Sequence, residues 1–429
     1  MSAVEYIINF LLHNDKTLIN KVGYTADSKA QKNFKVVIVP SAFFTELYMR
    51  PESLPSLPLQ TVEGVPLLFG VPRTEWLGDT LLVHADIVAS SYFLISRYEE
   101  CLNPARDIHG RFTAALSLAG RAGFLQRPVV DEYGRLLRGW LRQAGVPATE
   151  PPRHLHSVCL THDVDILTAF RRVRGTLGGL WRTMHGKEQL QHITKAWKNV
   201  ACDPIFCFPW FVHHDSLLPQ ARQIYFVKAV HCGSKYDYPA YGLHSRDFRR
   251  FTSIVQQGGA EIGLHTSYAA GMQPQRIVDE KARLEAALGN AITTNRYHYL
   301  RTTTPHDMQA LVDSGFTDDF TLGFAEQIGF RLGTTRAVHF INPYTRQLTA
   351  LLLHPLTVMD VTLSNSNYMH LSEDMALDQC RQMIAQTVMH HGDIVLLWHN
   401  TSLIIDYHRT LYPKILVELS KEFFSTVDV

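Results

Sequence analysis

The sequence predicts an α/β fold in two parts, a small N-terminal α/β domain (residues 1–150) and a larger parallel-sheet domain (residues 151–429). Three observations support this. A chain of 429 residues is too long for one ordinary core. A proline-rich polar stretch at 145–157 separates two differently patterned regions. Beyond it, short apolar runs alternate with helical patterns, which is typical of a parallel sheet, either a closed barrel or an open doubly wound sheet.

Composition narrows the class of protein. Apolar residues make up 46% of the chain and charged residues 19%, which favours a folded core over disorder. Because 41 basic residues face 40 acidic ones, the net charge of +1 argues against a protein built mainly to hold nucleic acid or an anionic membrane, although a local basic patch is compatible with it. No apolar run approaches the length of a membrane span.

The N-terminal pattern and the cysteine spacing indicate the cellular compartment of the protein. Residues 1–16 have no basic start and no small-residue cleavage site, so they predict an amphipathic helix rather than a secretion signal. The six cysteines show no C-x-x-C spacing, and we expect free thiols. These features together predict a cytoplasmic protein without a transmembrane segment. They do not predict an oligomeric state.

The N-terminal part contains patterns for both kinds of element but no catalytic constellation. Apolar runs that stop at proline or glycine predict strands, and apolar spacing of three to four predicts helices. The predicted strands cover 35–40 and 65–70, and the predicted helices cover 87–102 and 133–145.

The C-terminal part alternates strands and helices. The predicted strands cover 157–163, 224–230, 261–265, 297–301, 356–363 and 393–400, and the predicted helices cover 246–259, 280–290, 305–316 and 377–392. Polar residues fall where four of these strands end, namely Asp163, His265, Arg301 and His399. In parallel barrels that end of the sheet carries the chemistry.

The segment THDVD (161–165) places two carboxylates on one side of an extended backbone, since residues two apart point the same way. Asp163 and Asp165 can therefore converge on one cation or act separately as base and ligand. Alone, such a pair is more typical of a turn, and a lone histidine is more typical of a core. His265 and His399 at other strand ends strengthen the hypothesis of a hydrolytic metal site.

THDVD, then EIGLHTSY (261–268), a strand-end arginine and LLWHN (396–400) resemble the motifs of the polysaccharide deacetylases in order and spacing. These are metal-dependent esterases related to chitooligosaccharide and peptidoglycan deacetylases, and the resemblance covers residues 157–405. It is strongest to a bacterial branch with an H-D-V-D first motif and an extra N-terminal domain. Shared phrases of that branch are SRYEE (96–100), FTLGF (320–324), GFRLGTT (329–335) and LTVMDVTL (356–363). The resemblance implies an irregular (β/α) barrel that removes N- or O-acetyl groups from a saccharide.

The resemblance also implies roles for individual residues. Asp163 matches the general base that activates the attacking water, and Asp165 and His265 match ligands of a divalent metal, with zinc expected first. Arg301 resembles the arginine that orients the base.

The resemblance implies further roles in protonating the leaving group and in stabilising the oxyanion. His399 resembles the general acid, and Asp360 resembles the carboxylate that orients it. The metal and a backbone N–H near Ser267 or Tyr268 are expected to stabilise the tetrahedral oxyanion.

The second motif departs from the family pattern. The family has a second histidine four residues after the first, whereas this chain has Ala269. Catalytic zinc normally takes three protein ligands, so one is missing. His298 is our candidate to replace it, the alternative being a histidine that packs in the core or stacks on the substrate, and His231 and His244 are weaker candidates. Three outcomes remain open, namely a rebuilt metal site, a weaker metal site and the absence of a metal site. The last outcome would make the chain a catalytically decayed carbohydrate-binding protein.

Two aromatic segments, 207–214 and 235–242, are candidates for a platform on which a sugar ring stacks, although core and loop packing is the more typical explanation. In the second segment we expect Tyr236 to contact the sugar and Asp237 to bind a hydroxyl group. The predicted substrate is an acetylated saccharide of surface polysaccharide metabolism, and no nucleic-acid partner is expected. Hydrolysis of a non-sugar amide is a further alternative, because fold does not fix substrate.

Overall fold

The computed structural model describes residues 1–185, 190–230 and 233–424. His231, one of the weaker ligand candidates, lies outside these residues. The described chain contains a four-stranded sheet, a two-stranded hairpin and a nine-stranded sheet.

The strands are given first, in chain order. They are β1 (Val22–Tyr24), β2 (Val36–Ile38), β3 (Gln60–Val62), β4 (Val65–Leu67), β5 (Gly70–Leu77), β6 (Thr80–Ala85), β7 (Ser157–Val164), β8 (Arg222–Val227), β9 (Glu261–Thr266), β10 (Thr294–Tyr297), β11 (Asp318–Asp319), β12 (Val338–Ile341), β13 (Leu348–Leu353), β14 (Val358–Met359) and β15 (Asp393–Leu397).

The helices follow in the same order. They are α1 (Ala3–Leu11), α2 (Lys16–Ile19), α3 (Ser28–Gln31), α4 (Ile87–Ile95), α5 (Glu99–Leu102), α6 (Leu118–Arg121), α7 (Val129–Gln143), α8 (Val173–Met184), α9 (Leu190–Lys198), α10 (Phe208–Asp215), α11 (Arg246–Gln257), α12 (Gln275–Leu288), α13 (His306–Asp313), α14 (Asp360–Ser364), α15 (Glu373–Met389) and α16 (Asp406–Phe424).

The small sheet has the order β1-β2-β6-β5, parallel except where β5 pairs with β6. The strands predicted at 35–40 and 65–70 correspond to β2 and β4. The helix predicted at 87–102 is divided into α4 and α5, because Arg97 between them has a φ of 59° that no helix can contain.

The large sheet has the order β12-β13-β11-β10-β9-β8-β7-β15-β14. Every pair is parallel except β12 with β13. Among the described residues no pairing joins β14 to β12, so the sheet curls into a half-barrel and does not close. The prediction of strand–helix alternation is confirmed, whereas full closure into a barrel is not found.

Two predicted strands differ from the observed ones. The strand predicted at 297–301 is instead found earlier, as β10 (Thr294–Tyr297), because Tyr299 and Leu300 take φ values of 64° and 51° and turn the chain. The strand predicted at 356–363 ends at Met359, where the Asp360 carboxylate accepts the N–H of Val361 and α14 begins.

The two parts of the chain share one continuous hydrophobic cluster, which runs from α1 and α7 to the large sheet and α16. Buried ion pairs also join them, since Glu100 bonds to Arg331 and Asp131 bonds to Arg336. The division at residue 150 therefore stays a prediction. Within the described ranges, no helix combines the length and apolarity needed to cross a bilayer.

Candidate metal centre

The carboxyl ends of neighbouring strands bring the candidate residues together. Asp163 is the penultimate residue of β7, and Asp165 follows that strand directly. His265 lies near the end of β9, two strands away from β7 in the sheet, and His298 follows β10 on the other side of β9. His399 follows β15, which pairs with β7 on its other edge. The parallel register thus places all five residues at one edge of the sheet.

Three of these side chains form a cluster that can hold a metal ion. Donor atoms of Asp165, His265 and His298 all lie within 4.8 Å of one another. Asp165 Oδ1 is 3.2 Å from His298 Nε2 and 3.5 Å from His265 Nε2. Asp165 Oδ1 and His265 Nε2 are buried without a hydrogen-bond partner, which is costly unless something else binds them. One carboxylate and two imidazoles suit zinc and similar divalent metals, so the residues present fit such an ion.

The far nitrogen of each histidine is held in place. His265 Nδ1 lies 3.0 Å from the carbonyl oxygen of Arg296, and His298 Nδ1 lies 3.1 Å from Asp237 Oδ1. Partners of this kind fix the tautomer and turn Nε2 toward a metal. Burial opposes the charge on Asp165, but the neighbouring His298 and His265 outweigh it and hold the pKa of that carboxyl well below its usual range.

Asp163 is oriented by Arg296, whose Nη1 donates to Asp163 Oδ1 at 2.9 Å. Arg296 is fully buried, with its Nε donating to the carbonyl oxygen of Phe320 and its guanidinium over the ring of Phe226. Its partner across the register is His265, so the arginine that holds Asp163 lies on the strand next to that of His265.

The sequence prediction for Arg301 is corrected by this arrangement. Arg301 Nη1 donates to the carbonyl oxygen of Gly271, and its guanidinium lies over the ring of Tyr268. Because the strand ends at Tyr297, Arg301 lies beyond the turn and Arg296 takes the position beside Asp163.

His399 pairs with Asp360 as the motif resemblance implied. Its Nδ1 is 2.8 Å from Asp360 Oδ1, and its backbone N–H donates to Asp360 Oδ2. Its Nε2 faces the centre, 3.9 Å from Asp163 Oδ2. Burial works against a charged imidazole here, but Asp360, Asp165 and Asp163 together raise the pKa of His399 to about 10. The imidazole is therefore protonated at neutral pH.

The groups around the second motif that we expected to contact the substrate already have hydrogen-bond partners within the protein. Ser267 is fully buried, and both its N–H and its hydroxyl donate to Glu280. The N–H of Tyr268 donates to Asp237, which also accepts from His298. Neither backbone N–H is available for an oxyanion, and Asp237 supports a candidate ligand instead of facing a sugar.

A cleft of about 480 Å³ opens beside the centre. Tyr236, Tyr238 and Tyr299 line it, in part as the second aromatic segment predicted. The first aromatic segment instead packs into the core, since Phe208 and Phe211 are fully buried in α10.

Sequence reasoning missed several residues of the cleft. Lys228 follows β8, and Tyr368 and Arg111 complete the wall. Arg111 belongs to the N-terminal part. No local sequence pattern links it to the candidate ligands, the first of which is Asp165. Arg296 was hard to find because it lies in the polar segment TTNRYH (293–298), which has no apolar run to mark it as a strand.

The other candidate histidines lie away from the centre. His244 is exposed and does not join the cluster found among the described residues. His213 is exposed in α10, whereas His390 is buried.

The fold and the site together define a mixed α/β protein with a carboxylate–histidine centre at the carboxyl edge of a parallel half-barrel. Residues 2–145 match the family model described as a family of unknown function, DUF7033. No curated protein matches the chain.

The solved structures that resemble part of the chain include the following two. One, from Mycobacterium smegmatis, is described as a candidate polysaccharide deacetylase; it shares 15% identity and a TM-score of 0.41, over 64% of this chain and 87% of its own. The other is described as a mutant of a CE4-family pseudoenzyme with restored enzymatic activity; it shares 10% identity and a TM-score of 0.32, over 64% of this chain and 68% of its own. Likenesses of this size say nothing of the site residues.

Proposed function

We propose that this protein is a metal-dependent hydrolase that removes acetyl groups from an N- or O-acetylated saccharide in surface polysaccharide metabolism. One observation supports the proposal most strongly. The cluster of Asp165, His265 and His298 lies directly beside a carboxylate held by an arginine and an imidazole held in its charged form. Metal ligands, a base and an acid are the groups that hydrolysis of an acyl bond requires.

In this proposal Asp165, His265 and His298 hold a divalent metal, with zinc as the first choice. When bound, such an ion polarises an acetyl carbonyl and lowers the pKa of water from 15.7 toward about 7. Asp163 takes a proton from the attacking water. Arg296 aims that carboxylate into the cleft by donating to its other oxygen.

His399 completes the reaction as the proton donor. The water oxygen bonds to the acetyl carbon, the bond from that carbon to the sugar nitrogen or oxygen breaks, and His399 Nε2 protonates the departing atom. Acetate and a free amine or hydroxyl group are the products. Asp360 stabilises the charged imidazole before this transfer and fixes which nitrogen faces the substrate.

The cleft supports a saccharide over a simple amide. Tyr236, Tyr238 and Tyr299 offer aromatic faces to the apolar C–H groups of a pyranose ring. Apolar side chains of Ala325 and Met359 lie in the same cleft, where an acetyl methyl group can be buried.

The decisive experiment measures acetate release from a panel of acetylated sugars and simple amides. We expect release from sugars by the metal-loaded protein, and a fall of about 10²–10⁴-fold in Asp163→Asn and in His399→Ala. Asp378→Asn, on the exposed surface, is the matched control. Full acetate release by both site variants would refute the assigned roles.

A second candidate function rests on Ala269, which stands where the related motif has a ligand. A carbohydrate-binding protein with a decayed centre would bind saccharide and release no acetate at any metal loading. Acetate release by metal-loaded protein separates the two. Elemental analysis then checks the centre, because the hydrolase requires about one metal per chain and a loss of that metal in His298→Ala but not in His213→Ala. The proposed cytoplasmic location is checked separately by cell fractionation.

A further inference from the structure

Helix α8 has its apolar side facing outward. Its large apolar residues have exposed fractions between 37% and 76%. Successive residues of a helix are about 100° apart, so these side chains fall within an arc of roughly 100° and form one stripe. The members of the stripe are Val173, Leu177, Leu180, Trp181 and Met184.

The inner side of the same helix is made of glycine. A Cβ atom added to Gly179 would lie 2.9 Å from Ile193 of α9 and 3.1 Å from Phe170, so the two helices pack through that glycine. Ile193, Phe170 and Ala196 form a small core of their own under the hairpin. The apolar stripe is therefore not needed for the packing of α8 onto α9.

Helix α9 adds to the exposed surface. Leu190 is 51% exposed and Trp197 is 48% exposed. The two residues lie seven positions apart, which places them on the same side of the helix. We call the exposed apolar residues of α8 and α9 the hairpin patch.

The hairpin patch is surrounded by positive charge. Residues 166–185 and 190–202 contain six arginines and lysines and no aspartate or glutamate, in a chain whose overall net charge is only +1. The basic residues are Arg171, Arg172, Arg174, Arg182, Lys195 and Lys198.

We propose that the hairpin patch docks the protein peripherally on an anionic lipid bilayer. A helix that combines an exposed apolar stripe with flanking basic residues lies in the membrane interface, where tryptophan is also favoured. Each basic residue near an anionic surface adds to the attraction. Arg171 is paired with Asp247 at 2.8 Å, and the other five basic residues lie outside that ion pair. A second copy of this chain fits less well, because pairing two hairpin patches would bring ten such cations together.

The position of the hairpin gives docking a consequence for the site. Helix α8 begins eight residues after Asp165, and Ile166 between them lines the cleft. Docking would hold the cleft beside the bilayer, where a lipid-linked saccharide would present its sugar. This consequence rests on the proposed function, whereas membrane docking itself does not.

The experiment is flotation of the full-length protein with phosphatidylcholine vesicles that contain or lack phosphatidylglycerol. We expect binding only when phosphatidylglycerol is present, and a loss of at least about tenfold in high salt. Leu177→Ser with Trp181→Ala should weaken binding by at least about tenfold, since two apolar side chains leave the interface. Trp76→Ala is the matched control, because Trp76 is 51% exposed and Trp181 is 53% exposed.

Circular dichroism must show that the variants fold. If the apolar variant unfolds, the double variant Arg174→Gln with Lys198→Gln takes its place in the test. This variant should weaken binding to phosphatidylglycerol vesicles several-fold. Equal binding to both kinds of vesicle, or no binding to either, overturns the proposal. The proposal is also overturned if light scattering shows that the wild type is a dimer, that the apolar variant is not a dimer, and that the wild type binds no vesicles. Acetate release has no part in this test, so a failed deacetylase assay leaves its result unaffected.

Discussion

Asp237 accepts hydrogen bonds from His298 Nδ1 and from the backbone N–H groups of Ser234, Tyr268 and Ala269. We predict that Asp237→Asn lowers metal affinity about 10–100-fold, because an amide cannot accept from all of these donors and His298 loses its orientation. Competition with a chromophoric chelator measures the affinity.

Tyr236→Ala serves as the comparison for Asp237→Asn, since Tyr236 lines the cleft without supporting a candidate ligand. It should raise the KM for the saccharide and leave metal affinity unchanged. If Asp237→Asn instead raised only KM, the residue would contact the sugar after all.

The residue scale also shows what a single sequence can and cannot reveal. Asp163, His265 and His399 were predictable, since each follows an apolar run that reads as a strand. Arg296 was missed in favour of Arg301 because the chain turns through two residues with positive φ, and neither Tyr299 nor Leu300 carries the glycine signal of such a turn.

Glu99 provides a test of pH dependence away from the site. Burial raises its pKa from 4.5 to about 8, although the N–H of Leu118 donates to it. Between about pH 5 and 8 the unfolded chain therefore binds fewer protons at this position than the folded chain, and its contribution to stability falls as pH rises. Glu99→Gln has no proton to lose, so its free energy of unfolding should increase relative to the wild type across that window. Urea titrations at several pH values measure the difference, and a constant difference would contradict the assignment.

At the scale of elements, the loop at 103–112 brings the N-terminal part to the cleft. Arg111 donates to the carbonyl oxygen of Tyr299 and to the hydroxyl of Tyr368, and its Nε is held by Asp107. His109 packs against the rings of Tyr299 and Tyr236. The role of residues 1–150 could not be inferred from their own pattern, because it depends on a contact almost two hundred residues away in sequence.

We predict that Arg111→Ala raises the KM of the proposed saccharide reaction several-fold and changes kcat by less than about twofold. Arg111 lines the cleft but contacts none of the proposed reacting groups. Its loss therefore weakens the binding of the substrate and of the transition state equally. Steady-state kinetics of acetate release checks this, with exposed Arg73→Ala as the control. A fall in kcat at constant KM would place Arg111 in the chemical step.

At the scale of the whole molecule, the alternation of strands and helices was enough to predict a parallel sheet. Two of its properties were not predictable. Closure depends on whether the first and last strands meet, and that is a matter of sheet curvature rather than of local pattern. The extent of the shared core depends on side chains such as Leu137 and Leu332, which read as ordinary apolar residues in both parts.

Asp131 of α7 tests whether the two parts unfold together. Its fully buried carboxylate accepts hydrogen bonds from Thr334, from Thr335 and from the Arg336 guanidinium, all in the C-terminal part. We predict that Asp131→Ala lowers the free energy of unfolding by about 3–5 kcal/mol, because it leaves a largely buried guanidinium without its partner. Since both parts share one core, the loss should appear in a single transition, with circular dichroism and tryptophan fluorescence giving coincident curves. Asp378→Ala, at a carboxylate that is 65% exposed, should cost less than about 1 kcal/mol. Two separate transitions, with only the earlier one moved by Asp131→Ala, would mean that the N-terminal part is an independent domain attached to the site and not an integral wall of it.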